Sequence, residues 1–336
     1  MDLSTGAAGW GNARVIFSKS LGLFEISMQF SLAGDKILRM TEYDLCITWC
    51  WEFDADFVRL LESACRANGL STYQVTPANL DSVIANLETG FIKFSAYYDR
   101  TEHEKPYEPI LDWAVAHNIY QVNPKEVADW AEDKATMHLE LISAGMNTPY
   151  TIILPPSNEQ PNLPAFDLSN LGDGFVIKPS FGGGGQGVVM AATSIEQVMA
   201  RRCDFPHLKY LLQKTITPKQ LDGRPAWFRV IFCDGQTHPC WWDPKTHIYT
   251  IVSGEDELCY GLDVLREMTK RIAVVCRLVF FSTEIAFSFE QQWVVIDYVN
   301  DQIDMRLQSN AQDGVPDGIV NQVSSSLALM IKGKCK

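Results

Sequence analysis

The sequence has no surplus of positive charge: among its 336 residues, 28 Lys and Arg stand against 41 Asp and Glu, a formal net charge of −13. That lack argues against a nucleic-acid binder, which carries a basic face or stripe. It does not argue against a nucleotide, because a few lysines and backbone amides, helped by metal ions, bind phosphates inside an acidic protein. The nine cysteines include no C-x-x-C pair, and their number is odd. Most lie in apolar runs, Cys233 and Cys276 among them, as buried free thiols do. His238, Cys240 and His247 lack a second ligand pair at zinc spacing, so no zinc site is expected. Unpaired thiols in a chain of this size point to a reducing, cytoplasmic setting. No basic segment leads into an apolar run near residue 1, so no signal peptide is expected. The most apolar stretch, 272–289, carries Arg277 and Glu284 and reads as a helix end plus a buried strand rather than a membrane span. There is no internal repeat and no low-complexity tract.

What is present is ordinary for a globular protein, at 46% hydrophobic and 21% charged residues. The length allows two or three packed subdomains. Residues 1–40 offer one pattern, the alternation of Phe24, Ile26, Met28 and Phe30, which reads as a strand. Beyond residue 40, apolar runs at 43–51, 72–75, 91–97 and 119–122 read as strands. Segments 54–68, 77–87 and 108–117 between them read as helices, the first capped by Asp54 or Asp56. This alternation predicts an α/β domain over 1–123, a parallel sheet with helices on its faces. Asn123-Pro124 breaks the pattern. Helices follow at 125–131 and 133–144, the second capped by Asp133 and stopped by Gly145. After Pro149 the texture is mixed α+β. Strands are expected at 150–154, 175–178, 188–191, 210–214, 227–233, 248–253, 282–289 and 293–299, with helices at 194–201 and 262–278. The expected division is two α+β subdomains, 124–214 and 215–336.

The densest local signal lies between apolar runs after Lys178: Gly182, Gly183, Gly184, Gly185, Gln186, Gly187. Consecutive glycines cost backbone entropy and break regular structure. Either this is a plain wide hairpin turn, or its bare amides close around phosphate oxygens. Lys178 favours the second reading, since it sets a cation beside those amides. Gly182, Gly184 and Gly187 also spell G-x-G-x-x-G. A dinucleotide fold needs a helix to open at the last glycine, whereas 188–191 reads as a strand. A Walker A loop places its lysine after the glycines, not before. A protein kinase has a similar loop, but its catalytic-loop and D-F-G signatures are missing.

The second signal is a pair of acids inside apolar strands, Glu284 in 282–289 and Asp297 in 293–299. Buried charges are expensive unless paired or bound to metal. With a turn centred between Glu290 and Gln291, Glu284 and Asp297 fall opposite each other, their β-carbons about 5 Å apart. Two opposed carboxylates repel, and a metal between them resolves the repulsion; oxygen ligands suit Mg. The alternative is that one acid pairs with Arg229, Arg271 or Arg306. The pair Trp241-Trp242 reads either as core or as a stacking surface for a ring-bearing substrate.

Lys134, Lys178, the glycine loop, Glu284 and Asp297 occur in an order that resembles the ATP-grasp superfamily, over about 124–310. The resemblance implies ATP and Mg²⁺, with Mn²⁺ as a substitute. It implies that Lys134 and Lys178 contact the nucleotide phosphates and that Gly182–Gly187 form a mobile flap over them. Leu211–Ile216, with Gln213, Lys214, Thr215 and Ile216, would line the adenine pocket. Gln220 stands where the family often has a ribose-binding acid, with Asp222 nearby. Arg229 would lie near the phosphates or a substrate carboxylate. Glu284 and Asp297 match the two acidic metal ligands. The family's third ligand is an Asn two residues after the second acid. Here that place holds Val299, and Asn300 comes one later. In a regular strand Asn300 faces away from Asp297; a bulge turns it back, and Asp301 is the fallback. The loop with Asp304, Arg306 and Ser309 corresponds to a region that touches substrate.

The activity so implied is carboxylate activation: ATP phosphorylates a carboxylate, and an amine or thiol displaces the phosphate. The partners are small-molecule carboxylate and amine substrates, without nucleic acid or membrane, and the chain is open to forming a homodimer. One rival is an ATP-grasp kinase acting on a hydroxyl, whose polyanionic acceptor wants a more basic pocket than this chain offers after residue 214. The other is an ATP-binding scaffold without catalysis, for which the displaced Asn300 is the supporting feature.

Overall fold

A computed structural model describes residues 40–335; the strand expected at Phe24–Phe30 lies outside them. In chain order the elements are β1 (Thr41–Trp49), α1 (Ala55–Ala67), β2 (Thr72–Val75), α2 (Leu80–Glu88), β3 (Ile92–Arg100), α3 (Glu108–Ala116) and β4 (Tyr120–Val122). Then come α4 (Lys125–Glu132), α5 (Lys134–Ser143), β5 (Thr151–Leu154), β6 (Phe175–Pro179), β7 (Val189–Ala192), α6 (Ile195–Arg202) and β8 (Tyr210–Lys214). The remainder comprises β9 (Gln220–Leu221), β10 (Arg224–Pro225), β11 (Trp227–Cys233), β12 (Gln236–Trp242), β13 (Tyr249–Ile251), α7 (Gly254–Tyr260), α8 (Asp263–Cys276), β14 (Phe280–Phe287), β15 (Trp293–Asn300) and α9 (Asp317–Lys334).

The first sheet is parallel, in the order β2-β1-β3-β4. A parallel sheet is covered on both faces, which is why β1 reads as one continuous apolar run. Leu45 and Ile47 point to a core shared with Phe57 and Leu61 of α1 and with Val323 and Leu327 of α9. Cys46 points the other way, toward Val83 of α2 and Ile110 of α3. The helix α9, not expected from the sequence, brings the end of the described chain back onto the first sheet. The core it joins also holds Ile231, Cys233 and Phe280 of the third sheet. That core therefore crosses the division expected between residues 1–123 and 215–336.

The second sheet, β5-β8-β6-β7, is antiparallel and carries the glycine loop between β6 and β7. The third, β13-β12-β11-β14-β15, is also antiparallel. Its even-numbered β11 residues Phe228 and Val230 pack with Leu265, Met268 and Ile272 of α8. Period-two alternation therefore turns Trp227 and Arg229 to the opposite face.

Several local expectations are corrected. The strand β3 runs to Arg100 rather than 97, because Tyr98, Asp99 and Arg100 stay paired with Ile47, Thr48 and Trp49. Ser253 does not end a strand; it caps α7 in a capping box with Asp256. Asp54 stands at the N-cap of α1 without a capping bond, since its carboxylate is held by Arg100. Among the described residues, no helix is long and apolar enough to cross a membrane. All nine cysteines are free thiols.

Candidate functional site

The two acids meet as expected, but by a different route. From the turn, Phe287 pairs with Trp293, Ala286 with Val294 and Ile285 with Val295, a register one residue off the one counted from the sequence. An extra residue in β15 then makes up the difference, and Glu284 faces Asp297. A second irregularity follows, so that Ser282 pairs with Asn300. Ser282 is two residues from Glu284 and shares its face, which brings Asn300 onto that face too. The bulge thus reverses the orientation that a regular strand would give Asn300. Its Nδ2 is buried without a hydrogen-bond partner. A half-turn of the amide exchanges nitrogen for oxygen. No group of three His, Cys, Asp or Glu is placed to hold a metal among the described residues. The donor set here is two carboxylates and one amide, which fits a hard cation such as Mg²⁺.

Cations converge on the same face. Lys178 of β6 is buried, its Nζ 3.4 Å from the Ile296 carbonyl and 5.3 Å from the centroid of the Tyr298 ring. Burial pushes its ammonium below the usual range, opposed by Asp297. Burial likewise raises the Glu284 carboxyl, opposed by Arg229 and reinforced by Asp297. Asp297 goes the other way: burial acts to raise it, but Lys134 and Lys178 draw it below the usual carboxylate range. Two adjacent acids with opposite shifts mark a site where charge is concentrated and unequally compensated. Arg229 lies directly opposite Glu284 on β11. Its Nε donates to Ser282 Oγ at 3.1 Å, its guanidinium stacks 5.0 Å from the Trp242 ring, and its Nη1 is 3.7 Å from Glu284 Oε1. Trp227 donates from its indole Nε1 to Glu284 Oε2 at 2.9 Å.

Lys134 opens α5, whose N-cap Asp133 accepts from the amides of Ala135 and Thr136. Its Nζ donates to the Gly182 carbonyl at 2.7 Å, and its backbone N–H donates to Ser180 O at 2.8 Å. The lysine and the glycine loop are thus in contact. Gly182, Gly184, Gly185 and Gly187 have φ of 113°, 59°, 77° and 71°, the left-handed region that favours glycine. A β-carbon on Gly187 would lie 2.7 Å from Phe205 Cε2, whereas one on Gly183 meets nothing within 4 Å. Gly187→Ala is therefore expected to cost about 1–3 kcal/mol, read as a lower midpoint in urea. Gly183→Ala is expected to leave that midpoint unchanged.

The other residues expected at the site are engaged within the chain or stand as follows. The Gln213 side chain is spent internally, its Nε2 donating to Tyr298 Oη at 2.9 Å and Thr151 Oγ1 at 3.2 Å. Lys214 pairs with Glu290 at 3.4 Å, Thr215 Oγ1 donates to the Gly174 carbonyl at 3.0 Å, and Ile216 follows in the linker after β8. Gln220 is exposed on the short β9–β10 hairpin, and Asp222 at its turn accepts the Tyr260 hydroxyl. Asp301 is turned toward Asn123, Arg100 and His103, and burial raises its carboxyl to about 6. Asp304 and Asp313 together clamp Arg306, at 2.7 and 2.9 Å from its Nη2. The backbone N–H of Ser309 donates to Asp317 at 3.0 Å.

A buried polar chain behind Lys178 has no counterpart in the sequence reading. Gln213 donates to Tyr298 Oη, and the Tyr298 hydroxyl is hydrogen-bonded to His138 Nδ1 at 2.6 Å. This links β8, β15 and α5, the elements that carry the linker, Asp297 and Lys134. Burial, and then Lys178, lower His138 to about 4, so it is neutral at pH 7. A base whose folded value is depressed contributes stability that is whole above its unfolded value and lost as pH falls through the folded one. The protein is expected to lose up to about 3 kcal/mol between pH 7 and 4 from this group. Urea titrations of wild type and His138→Gln across that range check it: the variant's dependence should be the shallower.

No family model matches the sequence, and no curated protein matches it either. Solved structures do match. A D-alanine–D-alanine ligase from Bacillus anthracis complexed with ATP is similar at TM-score 0.60 and 14% identity, covering 87% of this chain and 96% of that one. A RimK domain ATP-grasp protein from Sphaerobacter thermophilus matches at TM-score 0.60 and 17% identity, covering 86% of this chain and 100% of that one. The ATP-grasp ligase PsnB, complexed with a minimal precursor, Mg and ADP, matches at TM-score 0.57 and 12% identity, covering 87% and 98% respectively. The chain has the ATP-grasp fold.

Proposed function

We propose that this chain is an Mg-ATP-dependent ligase that activates a carboxylate as an acyl phosphate and joins it to an amine. The observation that carries this reading is the convergence on one face of the opposed Glu284 and Asp297 with Asn300, Lys178 and Arg229, beside a lysine that touches the glycine loop. Glu284, Asp297 and Asn300 would hold Mg²⁺, which when bound offsets phosphate charge; Mn²⁺ suits the same donors. Lys134 and Lys178 would bind the phosphates, and residues 182–187 would close over them and exclude water. The linker from Gln213 to Ile216 would line the base through its backbone, with Gln220 or Asp222 toward the ribose. The nine free thiols suit a cytoplasmic setting.

The substrate carboxylate oxygen attacks the γ-phosphorus, the bond to the β–γ bridging oxygen breaks, and ADP leaves. A neutral amine then attacks the acyl carbon, phosphate departs with the bonding pair, and the nitrogen loses a proton. The Nη groups of Arg229 make no hydrogen bond among the described residues. They are available to an anion where charge develops. No covalent nucleophile is required; positioning and charge compensation supply the catalysis.

The test is ADP release by the purified chain with a panel of carboxylates and amines. The reading requires ADP release that depends on both components, with an amide as product. ADP release with a phosphorylated alcohol would assign a kinase instead. Tight ATP binding without turnover under any pairing would assign a scaffold, although Asn300 no longer argues for one.

A further inference from the structure

We infer that Trp227 is a positioning residue for Glu284: its indole N–H fixes one carboxylate oxygen so that the other stays beyond hydrogen-bond reach of Arg229 and open to a cation. This rests on the reading of Glu284, Asp297 and Asn300 as the Mg²⁺ site. Trp227 opens β11, two residues before Arg229 and on the same face. Arg229 stands opposite Glu284, while Trp227 stands opposite Ala286. That makes Trp227 a diagonal neighbour of Glu284, within reach of a long aromatic side chain.

The two donors on Glu284 are unequal. Trp227 Nε1 approaches Oε2 to 2.9 Å, a full hydrogen bond. Arg229 Nη1 stays 3.7 Å from Oε1, a charge contact too long for one. The guanidinium is held back by its own anchors, Ser282 Oγ at Nε and the Trp242 ring beneath. An indole N–H only donates and does not titrate at ordinary pH, so it neither competes for a metal nor releases Glu284 as pH changes. A carboxylate offers about four lone-pair directions, and Trp227 uses one. No other side chain among the described residues donates to Oε2. Without that bond the carboxylate is free to rotate onto Arg229 as a two-point fork, the geometry this pair favours. Such a fork withdraws a metal ligand and also covers the anion-binding nitrogens of Arg229.

The test uses the full chain with ADP and with Mn²⁺ as the probe, free Mn²⁺ being read by electron paramagnetic resonance. Trp227→Phe keeps a ring and removes the donor. It is expected to raise the Mn²⁺ dissociation constant about 10–100-fold, the usual effect of losing a partner that orients a ligand. ADP binding in EDTA is expected to stay as in wild type. Trp227→Gln, which restores an N–H, should recover part of the loss. Glu284→Gln is measured alongside. If it weakens Mn²⁺ while Trp227→Phe does not, the indole is packing and this inference alone falls. If neither variant weakens Mn²⁺, the metal-site reading falls and this inference with it. A Trp227→Phe loss that appears equally in EDTA, or that Trp227→Gln leaves untouched, assigns the effect to pocket shape and also overturns it.

Discussion

Asp54→Ala is expected to cost the protein about 3–5 kcal/mol, because it leaves a buried guanidinium without its counter-charge. Asp54 and Arg100 are 2% and 3% exposed. Arg100 Nε donates to Asp54 Oδ2 at 3.2 Å, its Nη2 pairs with Oδ1, and the same Nη2 donates to the Ile303 carbonyl at 3.0 Å. The pair therefore does more than close the end of the first sheet. It ties that sheet to the segment just past Asn300. Its net contribution relative to an apolar pair of similar size is smaller than the loss from breaking it, since both charges were taken out of water. Hence Asp54→Leu with Arg100→Met should recover much of what Asp54→Ala loses. Urea denaturation of the three variants decides the matter. A loss below about 1 kcal/mol for Asp54→Ala, the range of exposed pairs, would show that water reaches the guanidinium.

This pair also shows where sequence reading stops. Asp54 was legible as a helix cap, because an acid before an amphipathic helix is a local pattern. Its true partner lies 46 residues away, and no local pattern encodes that. The same holds for the contact of Trp227 with Glu284 and for the chain from Gln213 through Tyr298 to His138. In each case the partners lie on different elements far apart in the chain. The first sheet was legible because its strands and helices repeat in order, each with its own period. Glu284 and Asp297 were legible because acids inside apolar strands are costly, whatever their register. Asn300 entered only through the family resemblance, because a bulge is a mismatch in count between two strands and leaves no mark in either.

The hairpin of β11 and β12 was missed for a different reason. Asp234-Gly235, with φ of 44° and 82°, is the two-residue turn chemistry of a tight hairpin, and that signal was readable. Pro239 in β12 works against that signal, since proline argues against an inner strand. The structure resolves the conflict. Pro239 pairs with Val230 of β11, while β13 pairs only with 240–242 of β12. The Pro239 carbonyl accepts from Val252 N–H on the β13 side. In an antiparallel strand a residue's nitrogen points the same way as its carbonyl. The missing donor therefore faces Val252, just past β13, so the ladder to β11 loses nothing and the ladder to β13 ends at Cys240.

Glu284→Gln is expected to cut ATP turnover by about 10²–10³ while making the metal-free protein more stable by about 1 kcal/mol. The two effects share one cause. Glu284 faces Asp297 directly across the ladder, and its side chain is only 14% exposed. Without metal, the charge on Glu284 is opposed by burial and by Asp297, and only partly offset by Arg229. A glutamine keeps the shape, still accepts from Trp227 through its oxygen, and offers Asp297 a donor in place of a second negative charge. Stability should therefore rise in EDTA. With Mg²⁺ and a non-hydrolysable ATP analogue the order should reverse. Ligand that binds only the folded state stabilises by about 2.7 kcal/mol at a hundred times its dissociation constant. Wild type gains that, and the variant does not. Melting curves with EDTA and with Mg²⁺ plus analogue measure both sides. A variant that melts below wild type in EDTA, or that gains as much from Mg²⁺ and nucleotide, would remove Glu284 from the metal site. The opposed acids would then need another reason to face each other out of water.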